Sequence, residues 1–195
     1  DGTNPITPPE GAPGIGFNQT FEYIVDMLTA GGAKGVVANV PYVSSLPHFT
    51  AVPYNPVPLE AANAEAVNQG FAPYNGGIQQ ALAALKDTGL FTEAEAARRT
   101  ISFAEGQNAV VIVDEDLTDL GAINPTFAGL PKYRQATSED LLLLPSSSFI
   151  GSLVGDDPQL INGVTVPLED KWVLTPEEQE ALKSATDAYN IKISE

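Results

Sequence analysis

Apolar residues recur at helical spacing near both ends of the chain. From Asn18 to Ala30 they follow an i, i+3, i+4, i+7 pattern that predicts an amphipathic helix, and Gly31-Gly32 predicts its end. Near the C-terminus, Thr175-Pro176-Glu177-Glu178 predicts a helix start with a capping box. Apolar positions then continue at helical spacing to Ile193 with no stop signal, so we expect a chain that is part of a longer one.

A nearly unbroken apolar run covers residues 34–40 and is closed by Pro41. Because it lacks polar alternation, it predicts a strand that is buried on both faces, as strands of parallel sheets are. Together with the preceding helix and glycine turn, this strand forms half of a doubly wound unit. The predicted fold class is therefore α/β.

The central part of the chain predicts a mixed insertion. Helical spacing covers about 59–69 and 75–87, and a further helix begins at Thr92, where Glu95 completes a capping box. Two short apolar runs separated by a four-residue turn, Ile101–Ala104 and Ala109–Val113, predict a β-hairpin.

These elements give the predicted organisation of one incomplete domain over 1–195. Its parts are an extended segment rich in proline and glycine, an α/β unit with a long loop, an insertion or lid, and a C-terminal helix (1–17, 18–58, 59–171 and 172–195). Because an incomplete sheet has an open edge, we expect self-association or pairing with missing flanking segments.

Composition narrows the possible partners. The chain has 25 acidic and 9 basic residues and a formal net charge of −16, which excludes nucleic acid and disfavours anionic membranes. Cysteine is absent, so no disulfide, thiol nucleophile or cysteine-based zinc site is possible. No run reaches the roughly 18 apolar residues of a membrane span. We expect no cofactor, and an exported bacterial protein, either periplasmic or an outer-surface lipoprotein.

One motif resembles the nucleophile strand of haloacid-dehalogenase-type phosphatases. Val110–Val113 is followed by Asp114-Glu115-Asp116-Leu117-Thr118, with Asp156-Asp157 as a second acidic pair and Lys132 as a cation. A magnesium-dependent phosphatase would use Asp114 as nucleophile and Asp116 as acid/base. Only 37 residues (119–155) separate the two acidic pairs, too few for the parallel crossovers of that fold. A solvated acidic loop is the favoured interpretation.

The loop between Pro41 and Pro58 carries aromatic residues and the only histidine of the chain. A loop that leaves the C-terminal end of a parallel strand is where α/β proteins place ligands. The candidate substrate-binding residues are Tyr42, His48, Phe49 and Tyr54. No Gly-x-Ser-x-Gly elbow occurs, one histidine cannot build a multi-histidine metal site, and no residue qualifies as catalytic.

Several segments resemble SGNH/GDSL-like hydrolases of the exported bacterial lipoprotein type. These segments cover most of the chain: Gly32–Pro41, Ser45–Thr50, Val52–Pro56, Gly106–Asn108, Tyr133–Thr137, Asp140–Pro145, Pro167–Lys171 and Val173–Thr175.

The resemblance implies part of a flavodoxin-like sheet from a secreted esterase or acylhydrolase that acts on an ester or acylated glycan. Residues 18–41 would be a helix and strand of the sheet, 42–58 would lie near the substrate cleft, and 59–171 would form a lid. The family's Gly-Asp-Ser, Gly-x-Asn-Asp and Asp-x-x-His blocks do not occur, so this chain is expected to be inactive alone. The alternative is a non-catalytic envelope module, in which Tyr42, Phe49, Tyr54 and Trp172 would stack on sugars or contact a protein.

Overall fold

A computed structural model describes residues 6–195 and divides the chain into two compact units. Of the described residues, 6–46 and 177–195 form the terminal unit, and the inner unit, Pro47–Pro176, is inserted between these two segments of the sequence. Residues 1–5 of the predicted extended segment lie outside the described part. The assignment of one domain stays a prediction.

The terminal unit contains two helices, α1 (Phe17–Thr29) and α7 (Pro176–Ser194, whose first residue belongs to the inner unit). The Phe17 and Tyr189 rings stack with their centroids 4.3 Å apart. The side chain of Asn190 bonds the backbone of Val40 twice, accepting from its N–H at 2.7 Å and donating to its carbonyl at 3.0 Å. Both predicted helices are confirmed, and so is the glycine end of α1, because Gly32 has a φ of 78° and donates its N–H to Thr29.

The predicted buried strand over 34–40 is wrong. The segment is extended but belongs to no sheet, and its side chains are exposed up to Asn39. Val36 is 97% exposed and Val37 is 55% exposed. The physical reason is that no strand within residues 6–195 pairs with it, so the apolar run finds neither a neighbour nor a covering layer.

The inner unit contains five helices and eight short strands among its described residues. The helices are α2 (Pro47–Thr50), α3 (Ala61–Leu85), α4 (Glu93–Arg99), α5 (Leu120–Ile123) and α6 (Ser146–Phe149). The strands are β1 (Val57–Leu59), β2 (Gly106–Asn108), β3 (Val111–Val113), β4 (Tyr133–Gln135), β5 (Leu141–Leu142), β6 (Leu153–Val154), β7 (Asp157–Ile161) and β8 (Val173–Leu174).

These strands form four two-stranded antiparallel sheets, β1–β2, β3–β4, β5–β8 and β6–β7. The chain therefore mixes helices with small sheets, which is compatible with the predicted α/β class. The predicted hairpin of 101–104 with 109–113 is wrong, because β2 pairs with β1, β3 pairs with β4, and 101–104 is not a strand.

Two hydrophobic clusters support the inner unit. The larger lies around β3 and includes Val110, Ile112, Leu142 and Leu168, which are essentially inaccessible to solvent. The smaller joins α3 to α4 through Ile78, Ala81, Phe91, Ala96 and Leu120.

Helix α3 replaces the two predicted helices at 59–69 and 75–87. It continues through Pro73, which cannot donate an N–H to the carbonyl of Gln69. Pro73 is exposed, so water can bond this carbonyl, while Phe71 and Ile78 bury the opposite face of the helix.

The segment 101–104 is held in an extended conformation by amide side chains instead of a second strand. Asn75 accepts from the N–H of Ile101 at 2.9 Å and donates to its carbonyl at 2.7 Å. Asn68 makes the same pair of bonds with Phe103, both at 2.8 Å. Ile101 and Phe103 thereby stay buried against α3 with their peptide groups satisfied.

We expect Asn75→Ala to lower the free energy of unfolding of the chain by about 1–3 kcal/mol. The substitution leaves the backbone N–H and carbonyl of the buried Ile101 without their hydrogen-bond partners. Urea denaturation monitored by circular dichroism would measure the change. Asn63→Ala, at an exposed position of the same helix, is the matched control and should change the stability by less than about 0.5 kcal/mol. Equal losses in both variants would contradict this role for Asn75.

Candidate functional site

The predicted loop 41–58 contains a short 3-10 turn (Val43–Ser45), α2 and β1. Its candidate binding residues fall in different units, Tyr42 in the terminal unit and His48, Phe49 and Tyr54 in the inner unit. Tyr42 is 44% exposed and its hydroxyl donates to Asp187, with the Lys183 ammonium 6.0 Å from the ring centroid. The hydrogen bond to Asp187 raises the pKa of the Tyr42 hydroxyl.

His48 and Phe49 lie together on α2, with their rings edge to face and 5.0 Å between centroids. The imidazole is exposed, and the backbone carbonyl of His48 accepts from the N–H of Leu144 at 2.7 Å. Tyr54 is half-buried against the larger hydrophobic cluster, and its carbonyl accepts from Val110. His48 and Phe49 are therefore available to a ligand, while Tyr54 mainly supports the core.

The aromatic residues proposed for sugar stacking are largely engaged within the protein. The ring of Trp172 stacks on Phe149 at 4.7 Å, and the ammonium of Lys171 lies 5.7 Å from its centroid. Tyr54 is packed as described above. This arrangement gives the glycan-binding alternative little support from Trp172 or Tyr54.

Sequence reasoning missed a buried ionic cluster in the inner unit, formed by Asp114, Arg134, Asp140 and Arg98. The guanidinium of Arg134 donates to both oxygens of Asp140 at 2.7 Å and to Asp114. Arg98 donates to the same oxygen of Asp114 at 3.0 Å. The side chains of Arg134, Asp114 and Asp140 are almost completely buried, whereas that of Arg98 is partly exposed.

Burial and pairing act in opposite directions within this cluster. Burial disfavours the charged form of Arg134, but hydrogen bonds to Asp140 and Asp114 outweigh it and raise the pKa of the guanidinium. Burial would likewise raise the pKa of Asp140, but hydrogen bonds from Arg134 and from the N–H of Thr137 lower it below its ordinary value. Both shifts favour the charged forms of Arg134 and Asp140, so these two partners form an ion pair at neutral pH.

A second buried arginine, Arg99, is held by backbone carbonyls and by Glu95. Arg99 donates to the carbonyls of Thr118 at 2.9 Å and Pro131 at 2.8 Å, and its charge lies 3.6 Å from Glu95. Glu95 was predicted to close a capping box with Thr92. Thr92 does cap α4 by accepting from the N–H of Glu95, but the Glu95 carboxylate accepts from Thr118.

The lowered pKa of Asp140 makes the stability of the inner unit pH-dependent. Its contribution is fully present above the pKa of an unfolded aspartate, near 4, and is lost as the pH falls through the lower folded pKa. We therefore expect the urea midpoint to fall between about pH 5 and pH 2, and Asp140→Asn to reduce this dependence. Asp87→Asn, at an exposed position, is the control, and an unchanged slope in Asp140→Asn would contradict the assignment.

The cluster argues against phosphatase chemistry at Asp114. This carboxylate is buried and bonded to two guanidinium groups, so it offers no exposed oxygen to a phosphoryl group. Asp156 lies in the turn between β6 and β7, Asp157 is the first residue of β7, and Lys132 donates to the carbonyl of Glu115 at 2.7 Å. Within residues 6–195, no group of three histidine or acidic side chains is arranged to hold a metal ion.

The sequence gives only a partial indication of this cluster, since Asp140 is a charged residue directly before the apolar run Leu141–Leu144. The pairing of Arg134 with Asp114 depends on the contact of β3 with β4, which local sequence does not specify. Among the described helices, none has the length and apolar character needed to cross a bilayer.

Comparisons of the chain with models of protein families, with curated proteins and with solved structures found no match.

Proposed function

We propose that this chain is part of an exported bacterial ester hydrolase of the SGNH/GDSL type. In this proposal, α1 and the extended segment 33–40 belong to a flavodoxin-like, doubly wound sheet. The nucleophile, the oxyanion donors and the catalytic histidine come from polypeptide outside these 195 residues. The substrate is an ester or an acylated glycan, and the location is the periplasm or the outer cell surface.

The observation that carries the proposal is the order of elements in the terminal unit. Helix α1 ends at a left-handed glycine, an extended apolar segment follows, and α7 completes the unit after the inserted residues 47–176. Helix, extended segment and helix in this order are the repeating unit of a doubly wound fold. The family resemblance of 32–41 falls on this same segment.

The position of the insertion supports a role beside the substrate. The inner unit begins at Pro47, after residues 41–46 that follow the extended segment, and ligands of α/β enzymes bind beyond the carboxyl ends of strands. The exposed His48 and the half-buried Phe49 lie at the start of this insertion. In the proposed enzyme, these two side chains contact the substrate, while serine and histidine groups outside this chain perform the acyl transfer.

The test compares this chain with the full gene product on p-nitrophenyl acetate. We expect hydrolysis and labelling by a serine-directed fluorophosphonate in the full product, and neither above background in the isolated chain. His48→Ala in the full product should change KM more than kcat, since a contact made equally in ground and transition states affects binding. Hydrolysis by the isolated chain that His48→Ala abolishes would contradict the proposal.

A further inference from the structure

The hairpin formed by β6 and β7 is exposed to solvent along both strands. Its closing pair is Val154 with Asp157. The two residues of the turn, Gly155 and Asp156, have positive φ values of 60° and 62°. Two left-handed residues between paired strands are typical of a type I′ turn, and aspartate tolerates this conformation better than most residues. Every residue from 153 to 160 is exposed.

A bulge follows the turn on β7. The register of the hairpin shifts between Leu153 and Val154, so residues 158–160 have no opposite residue on β6. Pro158 opens this bulge, which suits a residue that has no N–H to donate. The peptide bond between Asp157 and Pro158 is therefore accessible to water and is not constrained by regular strand pairing.

The carboxyl group of Asp157 is held beside this same peptide bond. Its Oδ1 accepts from the backbone N–H of Gln159 at 2.8 Å. The ring that this hydrogen bond closes contains the bond between Asp157 and Pro158, so the carboxyl group stays next to it. The other oxygen, Oδ2, has no hydrogen-bond partner among residues 6–195.

The chemistry of this bond matches its position. It is the one aspartyl–prolyl bond of the sequence. The proline nitrogen belongs to a tertiary amide, which accepts a proton and departs as an amine more readily than an ordinary peptide nitrogen. An aspartate carboxylate is a nucleophile that can reach its own backbone carbonyl carbon within a small ring.

We propose that the chain cleaves itself between Asp157 and Pro158 in mildly acidic solution. A carboxylate oxygen of Asp157 bonds to the backbone carbonyl carbon of the same residue and forms a cyclic anhydride. The C–N bond to Pro158 breaks, its electron pair stays on nitrogen, and a hydronium ion from solvent supplies the proton that the amine takes. Water then hydrolyses the anhydride, which leaves Asp157 as a C-terminus and Pro158 as an N-terminus. This proposal does not depend on the esterase proposal.

Few charged groups face the reacting carboxyl group from its own hairpin. Asp156 in the turn is charged, whereas Leu153–Val154 of β6 and residues 158–168 carry no titratable side chain. The pH dependence of cleavage therefore reports on Asp157, with Asp156 as its charged neighbour.

The two fragments stay associated after cleavage. In the inner unit, β8 of the C-terminal fragment pairs with β5 of the N-terminal one. In the terminal unit, Asn190 bonds the backbone of Val40 twice. The product is therefore a nicked chain of fragments 1–157 and 158–195.

Intact-mass spectrometry tests the proposal on the full chain, incubated at the lowest pH at which circular dichroism still reports the native fold. We expect fragments 1–157 and 158–195, whose masses add to that of the chain plus one water. Cleavage should be at least about tenfold faster than in a synthetic peptide of residues 151–164, which lacks the fixed geometry. It should be at least about tenfold slower at pH 7, because the departing nitrogen needs a proton.

Variants separate the nucleophile from the hydrogen bond that positions it. Asp157→Asn and Pro158→Ala should stay intact. Gln159→Pro keeps the aspartyl–prolyl bond but removes the N–H, so its rate should fall to that of the peptide, whereas Gln159→Ala keeps the N–H and the parent rate. An intact parent chain, or one that is cleaved no faster than the peptide, would overturn the proposal. Cleavage of Asp157→Asn at the parent rate would also overturn it, because it would identify a contaminating protease.

Discussion

Replacing Arg134 with methionine is expected to lower the free energy of unfolding of the inner unit by about 3–5 kcal/mol. Methionine keeps much of the side-chain volume but leaves Asp140 and Asp114 buried with fewer donors. Asp140 would retain its bonds from Thr137, and Asp114 its bond from Arg98. Urea denaturation followed by the fluorescence of Trp172, which lies in the inner unit, would measure the loss.

The matched control is Lys171→Met, which breaks the exposed pair between Lys171 and Glu169 (2.5 Å). Because water solvates both partners, this variant should differ from the parent by no more than about 1 kcal/mol. A similar loss in both variants would contradict the claim that burial determines the importance of Arg134.

A triple substitution separates the net contribution of the ionic cluster to stability from the loss of stability caused by removing one of its members. Arg134→Met combined with Asp114→Leu and Asp140→Leu removes the three buried charges together. We expect it to recover part of the stability lost in Arg134→Met, because no unpaired carboxylate remains buried. Recovery is expected to be incomplete, because the N–H of Thr137 loses its acceptor on Asp140. A triple variant less stable than Arg134→Met would contradict this account.

Helix positions are predictable from this sequence because their determinants are local. The apolar spacing of α1, the left-handed Gly32 and the Thr92 cap act within a few residues of one another. A local rule also misleads at Pro73, because the rule that proline ends a helix ignores the burial of Phe71 and Ile78 on the opposite face of α3.

Strand pairing is poorly predictable because it depends on distant partners. The 101–104 segment has the alternation of a strand, yet its peptide groups bond the side chains of Asn68 and Asn75. The same limit applies to the candidate site, because the buried Asp114 is paired with Arg134, which lies twenty residues away on β4. The exposed His48 could be proposed from the sequence, whereas the buried ionic cluster could not.

Substituting Val36 with aspartate is expected to change the stability of the isolated chain very little and to destabilise the full gene product strongly. In the isolated chain Val36 is 97% exposed, so the change in unfolding free energy should stay within about 0.5 kcal/mol. In the full product, paired strands would enclose this position, and a buried unpaired carboxylate should cost more than about 4 kcal/mol. Urea denaturation of both samples would measure the two effects.

Val154→Asp provides the control for this comparison, because Val154 is 40% exposed on β6 of the inner unit and lies outside the segment 33–40. It should be nearly neutral in both samples. Ester hydrolysis in the full product should fall with Val36→Asp and not with Val154→Asp, because only the first change disturbs the proposed central sheet. A full product that tolerates aspartate at position 36 as well as at 154 would show that the segment stays exposed.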